Sequence, residues 1–213
     1  MTTVRPLVPP GALREALGER ATGLEEMLAA VAAVPQQVGR VFPAAARRTA
    51  RGRVPGHEAQ VEDAVRVELI AAAAASLTSD QLLEELRALY RFGDSDEKRA
   101  VLEALNAADD PAVDGSDLLL DALRSNDTRL VGAAMGAHAA RLPDEAWRHG
   151  VLKCLFTGVP IDRVVGLRVR ADRELAAMAA RFAREREAAG RDVPPDVTAV
   201  IAACPPAPTT HEA

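Results

Sequence analysis

The chain has 213 residues, of which 48% are hydrophobic, 27% are charged and only 3% are aromatic. This composition excludes disorder as the dominant state, and it supplies enough apolar material for one packed domain without disulfides or metal. The 31 acidic residues outnumber the 26 Lys and Arg residues and give a net charge of −5. The chain as a whole therefore has no bias toward nucleic acid, and we expect no nucleic-acid partner.

Apolar residues recur at helical spacing from Gly11 almost to the end of the sequence, and no alternating run predicts a strand. Gly, Pro and Asp interrupt this pattern at short intervals and supply the expected helix ends, and residues 78–80 and 94–96 are predicted to cap the starts of two helices. We therefore predict an all-α protein with a partly helical segment at 36–50, a loop at 51–56, and helices over residues 12–17, 22–34, 58–77, 80–93, 97–107, 118–124, 128–142, 145–157, 171–189 and 194–203.

Short turns between helices of this length favour antiparallel neighbours. We predict that the helices stack as a HEAT-like α-solenoid or an irregular helical bundle. No stretch is long or polar enough to be a linker, so we expect a single domain over residues 1–213. Within it, residues 1–56 are expected to be a looser helical part and residues 204–213 a disordered tail.

Targeting signals and disulfides are not apparent in the sequence. The N-terminal residues lack the apolar core of roughly 7–15 residues that a secretory signal needs. The longest apolar run, residues 69–75, is far shorter than the roughly 20 residues that span a bilayer. Cys154 and Cys204 have no CxxC spacing, so we expect two reduced thiols in a cytoplasmic protein with no transmembrane segment.

The predicted helix at 145–157 has the most informative pattern. Trp147 and Cys154 share one apolar face, while Leu152 and Phe156 cover most of the opposite side, which predicts a central, buried helix. Lys153 lies on the remaining polar face of this predicted helix. A lysine in such a helix either pairs with a carboxylate, extends its amine to water or serves a ligand.

The next predicted helix places Arg186 within the apolar stripe of Phe182. A cation there either lies near the last turn, where it favours the helix dipole, or points inward and needs a carboxylate or a ligand anion. Two pairs have the i, i+4 spacing of helix-surface ion pairs: Arg170 with Glu174, and Arg181 with Glu185.

Motifs that carry metal, phosphate or nucleophilic chemistry are absent from the sequence. It contains no HExxH, no Cys/His cluster, no glycine-rich phosphate loop and no GxSxG. We therefore expect no metal and no cofactor. His138 lies on an apolar face, where a single histidine is most often a hydrogen-bonded core residue.

Four segments, 145–147, 151–160, 163–167 and 170–191, together resemble the signature of the EboA family. They contain EAW, VLKCLFTGVP, RVVGL and RADRELAAM. Upstream, Phe42 and the helix with Asp63 and Arg66 are similar to weaker family positions. Polar residues that match the family are Lys153, Arg163, Arg170, Glu174, Glu185, Arg186 and Arg191. Positions that depart from it are Arg148 and His149, where the family has Asn and Gln, Asp172 and Arg173, where it has Asn-Pro, and Arg184, where it has His.

The resemblance implies a place in the ebo gene cluster, whose other products resemble a UbiA-type prenyltransferase, a TatD-like hydrolase, a dehydroquinate-synthase-like enzyme, a sugar-phosphate-isomerase-like barrel and a phosphatase-like protein. That cluster is linked to the movement or maturation of secondary metabolites. The resemblance implies partners among the cluster's other proteins, with the prenyltransferase as one candidate, and a small anionic metabolite as a further candidate. It implies no established reaction.

Two functions remain open at this point. The first is a non-catalytic, cytosolic binding or scaffold protein, which suits a helical surface with few reactive groups. The second is an enzyme acting on a phosphorylated or prenylated metabolite through Lys153, Arg163 and Arg186; the sequence has no recognisable nucleophile–base pair for it. Because Trp147, Phe156 and Phe182 lie in the same stretch as the matching polar residues, we expect them to build a distinctive C-terminal core.

Overall fold

The computed structural model describes residues 2–204 and confirms the all-α prediction. Within this range the chain contains no strand, only two isolated bridges, Val4 with Ala108 and Arg53 with Gln60. Its α-helices are α1 (Pro10–Leu17), α2 (Ala21–Ala33), α3 (Val38–Val41), α4 (Ala45–Arg48), α5 (Val61–Ala74), α6 (Ser79–Phe92), α7 (Ser95–Ala107), α8 (Ser116–Arg124), α9 (Thr128–Ala134), α10 (Asp144–Thr157), α11 (Leu167–Arg170), α12 (Arg173–Ala188) and α13 (Pro195–Ala203).

The described helices form two compact units that divide between Asp121 and Ala122, inside α8. The sequence gives no sign of this division, because no loop marks it. A single domain and a HEAT-like stack therefore stay predictions, as does a looser part at residues 1–56. No described helix has both the length and the hydropathy to cross a bilayer. Of the predicted disordered tail at 204–213, all but Cys204 lies outside the described residues.

Helix α5 is the centre of the first unit. It packs against α1, α2, α4 and α7, and nearly all of its residues are buried, including Glu62, Asp63 and Arg66. A helix in this position is covered on all sides, so its charged residues need partners inside the unit. The helix is shorter than the predicted 58–77 because Gln60 is extended and pairs with Arg53.

The predicted caps at 78–80 and 94–96 are confirmed. The Thr78 hydroxyl accepts a hydrogen bond from the Gln81 backbone N–H, and the Asp94 carboxylate accepts one from the Glu97 N–H. In both cases the side chain of the third helical residue accepts a hydrogen bond from the backbone N–H of the cap residue. These capping boxes fix the starts of α6 and α7 from local sequence alone.

The second unit is built around α10, which packs against α9 and α12, while α12 packs against α13. The predicted helix at 128–142 is wrong in its second half. Helix α9 ends at Ala134, and a 3₁₀ turn at Ala137–Arg141 follows. The helix ends where Met135 makes two tertiary contacts. The Met135 carbonyl accepts a hydrogen bond from the Val165 N–H at 3.0 Å. The Met135 sulfur packs against Gly150 of α10, where an added Cβ would lie 2.4 Å from it.

Candidate functional site

Helix α10 is buried on one face only. Trp147 is 0% exposed and Cys154 is buried beside it, whereas Phe156 is 59% exposed and Leu152 is half-buried. The predicted burial on all sides was therefore wrong, and Phe156 does not belong to the core. The elements around α10 cover the Trp147 face and leave the Phe156 side open. Phe182, on α12, is buried.

Arg170 holds the buried tryptophan and the turn before α10. Its guanidinium lies 4.8 Å from the Trp147 ring centroid, and it donates to the carbonyls of Ala139 (2.9 Å) and Leu142 (2.7 Å) and to the Asp144 carboxylate (2.7 Å). The predicted pairing of Arg170 with Glu174 was wrong, because α11 ends at Arg170 and a separate helix begins three residues later. Arg170 is therefore fully engaged within the chain.

Lys153 and Arg163 do not form a shared cationic site with Arg170. The Lys153 amine donates to the Asn126 side-chain oxygen at 3.0 Å, so its partner is a neutral amide and not a carboxylate. Arg163 is exposed and lies beside Gly132 of α9.

The polar residues of α12 are engaged locally. Arg186 lies in the last turn, where its Nε donates to the Asp192 carbonyl at 2.6 Å and its guanidinium lies 5.7 Å from the Phe182 ring centroid. Arg181 reaches back to Glu174 at 3.3 Å, so its predicted pairing with Glu185 was wrong. Glu185 and Arg191 are exposed. Lys153, Arg170 and Arg186 thus each bond to a different part of the chain.

An apolar cleft lies on the open side of α10. Its volume is about 150 Å³, and the Phe156 ring centroid lies 4.4 Å from that of Phe182 in a tilted arrangement. Such an aromatic pair contributes about 0.5–1.5 kcal/mol beyond the area that it buries. We call this region the Phe156 surface; it is lined by Leu152, Phe156, Met178, Arg181, Phe182 and Glu185.

The thiol of Cys154 is expected to be unreactive in the folded protein. Burial raises its pKa to about 12, so almost none of it is the nucleophilic thiolate at pH 8. In a Cys204→Ser variant, we expect no labelling by a disulfide reagent at pH 8 until denaturant is added, and then one thiol per chain. Rapid labelling of the folded variant would show that the α10 face is open to solvent.

The first unit contains a second group of charged residues, between α5 and α7. The Asp63 carboxylate accepts two hydrogen bonds from Arg99, at 2.7 and 3.1 Å, and both side chains are buried. Burial raises the pKa of Asp63 even though the Arg99 contact opposes this. Desolvation of the carboxylate is the largest influence on this pKa, and the neighbouring Glu62 charge adds to it.

Arg66 lies in the same interior and is 1% exposed. Its Nε donates to the Phe42 carbonyl at 3.4 Å, its guanidinium lies 5.4 Å from the Phe42 ring centroid, and its Nη2 lies 3.6 Å from Glu97. Phe42 and Arg66, which are far apart in sequence, therefore form one contact. Helical periodicity does not predict that Glu97 lies beside Arg66 or that Arg99 lies beside Asp63.

A family model described as "metabolite traffic protein EboA" matches residues 25–202. The chain belongs to the EboA family. No curated protein and no solved structure matches it. The matched range includes the charged interior of the first unit as well as α10 and α12.

Two departures from the EboA signature contact each other. Arg148 donates from Nε (3.0 Å) and Nη2 (2.5 Å) to the Asp172 carboxylate, which also caps α12 by accepting from Leu175 N–H. The Arg148 contact lowers the pKa of Asp172. No local pattern connects Arg148 with Asp172, because they lie 24 positions apart in the sequence. In this EboA protein they form one ion pair that joins α10 to the start of α12.

A metal site has no support in the described part of the chain. Residues 2–204 contain no group of three or more His, Cys, Asp or Glu side chains placed to hold an ion. His138 is buried in the second unit.

Proposed function

We propose that this EboA protein is a cytosolic, non-catalytic binding or scaffold protein in the traffic of a secondary metabolite. It binds another protein of the ebo cluster through the Phe156 surface. One observation carries this proposal: in the stretch that matches the family signature, Lys153, Arg170 and Arg186 bond within the chain, while the large aromatic side chain of Phe156 is exposed.

The polar contacts support a structural role for the matching residues. Arg170 holds the turn before α10, Lys153 bonds to an amide, and Arg186 bonds to a backbone carbonyl. An enzyme that binds an anionic metabolite would instead aim its cations at one pocket. The alternative, an enzyme acting on a phosphorylated or prenylated metabolite, gains no support from these contacts.

The Phe156 surface has the character of a protein-binding site. Exposed aromatic side chains dominate the centre of many interfaces, and charged residues form their rim. Here the ring pair is the centre, and Arg181 and Glu185 supply one charge of each sign at the edge. A partner that places an apolar side chain between Leu152 and Met178 and complements these charges would fit.

A binding assay with a matched pair of variants tests the proposal. The full chain is immobilised and mixed in turn with each purified product of the cluster, including the prenyltransferase-like protein in detergent. We expect Phe156→Ser to weaken capture of one partner by about tenfold or more, as loss of an interface hot spot does. Val169→Ser, which replaces an 88% exposed apolar residue of the same unit, is expected to change the capture of that partner less than twofold.

Cellular and enzymatic readouts separate the two functions. Lys153→Met is expected to leave metabolite output unchanged, because within residues 2–204 the partner of its amine is the Asn126 side-chain amide. Equal capture by the two serine variants, or turnover of a cluster metabolite by the purified protein alone, would contradict the proposal.

A further inference from the structure

A small cavity in the first unit is bordered by two aromatic rings and two carboxylates. It lies between the short helices after α2, the end of α6 and the start of α7, and its volume is about 130 Å³. Phe42, Glu85, Phe92 and Glu97 line it together with small and aliphatic residues, and no Lys or Arg is among its described lining residues. The wall of this cavity therefore carries negative charge and aromatic surface.

The negative charges of the two carboxylates differ in whether a nearby group of the chain compensates them. Glu97 accepts a bond from Asp94 N–H at 3.2 Å, and its other oxygen lies 3.6 Å from the buried guanidinium of Arg66. Its charge is therefore compensated from inside the unit.

Glu85 has no such partner among the described residues. It is half-buried in the middle of α6, and the residues one turn away on either side, Gln81 and Leu89, carry no positive charge. Burial raises the pKa of Glu85, and the adjacent Glu84 adds to this effect. A carboxylate held in a cavity wall under these conditions is stabilised by any cation that enters.

The aromatic lining is suited to the same kind of ligand. The Phe92 side chain is 82% exposed, so part of its ring surface is open to a ligand even though Arg91 lies over the ring, 5.5 Å from its centroid. The Phe42 ring is already covered by Arg66, 5.4 Å from its centroid. Cations lie at such distances from ring faces because the π system is electron-rich. An exposed ring beside an unbalanced carboxylate is a common way to hold an organic ammonium ion.

We propose that this cavity binds a small organic cation, an ammonium or guanidinium group on an apolar body, with the charge at Glu85 and the apolar body against Phe92. The volume is that of only about four water molecules, so it fits a head group and not a folded segment. This site lies in the first unit and is independent of the Phe156 surface.

A ligand series tests the charge requirement. The full chain, labelled with nitrogen-15, is titrated at pH 7 with benzylamine as the cation, benzyl alcohol as its neutral counterpart and benzoate as the anion. We expect saturable amide shifts in α6 with benzylamine at roughly millimolar concentration, which is typical of a fragment-sized ligand. Benzyl alcohol and benzoate are expected to bind at least about tenfold more weakly.

Two adjacent glutamates provide the matched control. Glu85→Gln is expected to weaken benzylamine binding by about tenfold, whereas Glu84→Gln, which lies outside the cavity lining, changes it less than about twofold. Phe92→Ala removes an exposed ring without disturbing the core and is expected to weaken binding as well, so it decides the question if Glu85→Gln does not fold. No saturable shift with benzylamine, equal binding of benzyl alcohol, or equal losses in the two glutamine variants would each overturn the proposal.

Discussion

Replacing Trp147 with alanine is expected to lower the free energy of unfolding by about 3–5 kcal/mol, the usual loss for a large aromatic side chain in a core. Trp147 is 0% exposed, so its removal leaves a cavity in the α10 face. It also leaves the Arg170 guanidinium without the ring that it covers. Urea unfolding followed by circular dichroism measures this loss without depending on tryptophan fluorescence.

The control for this substitution lies on the same helix. Phe156→Ala removes another aromatic side chain of α10, but the Phe156 ring is already 59% exposed and contacts Phe182 on one side. We expect a loss of about 1 kcal/mol or less, the range for an aromatic pair without full burial. Equal losses in the two variants would mean that α10 is buried on both faces, as its sequence suggested.

Replacing Asp63 with alanine is expected to destabilise the protein by about 1–3 kcal/mol, because it leaves buried N–H donors of Arg99 unpaired. Asp96 and Glu62 still lie 3.2 and 3.9 Å from the Arg99 guanidinium, so its charge stays partly compensated. Arg99 donates two bonds to Asp63 in the interior between α5 and α7. Urea unfolding of the full chain measures this change. A loss below about 1 kcal/mol would show that water or another carboxylate compensates Arg99.

An exposed pair with the same geometry provides the control. Asp117 accepts two bonds from Arg87, at 3.0 and 3.1 Å, but these side chains are 52% and 47% exposed. Asp117→Ala is therefore expected to change the free energy of unfolding by about 1 kcal/mol or less.

A double variant separates the pair's net contribution from the penalty for breaking it. Because Asp63 and Arg99 are both buried, the double replacement Asp63→Leu with Arg99→Met, which removes both charges from the interior, is expected to recover part of the stability lost in Asp63→Ala. A double variant as unstable as the single one would show that the pair itself stabilises the unit.

Local sequence was sufficient where the structure depends on near neighbours. The caps at Thr78 and Asp94 were predicted because their partners are three residues away. The end of α9 was not predicted, because it depends on Met135 contacts with Gly150 and Val165. The pairings of Arg170 and Arg181 were wrong for the same reason, since helical spacing says nothing of where one helix ends or which carboxylate lies closer in space.

The sequence predicted less of the candidate sites than of the helix positions. The family signature drew attention to α10 and α12, but helical spacing could not show that Phe156 is exposed and Trp147 is not. That difference depends on which face of α10 its neighbours cover. The cavity at Glu85 had no sequence signal, because Phe42 and Phe92 are 50 positions apart and meet only in the fold.

By itself, the sequence determined the all-α class, most helix positions and membership of the EboA family, because periodicity, caps and motifs are properties of neighbouring residues. The tertiary structure alone decided which charged residues are compensated. It placed Arg99 against Asp63, Arg148 against Asp172 and Arg170 over Trp147, and it left Glu85 without a cation among the described residues. The six aromatic side chains of the composition accordingly divide into two classes, since Phe42, Tyr90, Trp147 and Phe182 are buried while Phe92 and Phe156 are exposed. Burial and electrostatic partners depend on contacts between distant segments, and these exist only once the chain has folded.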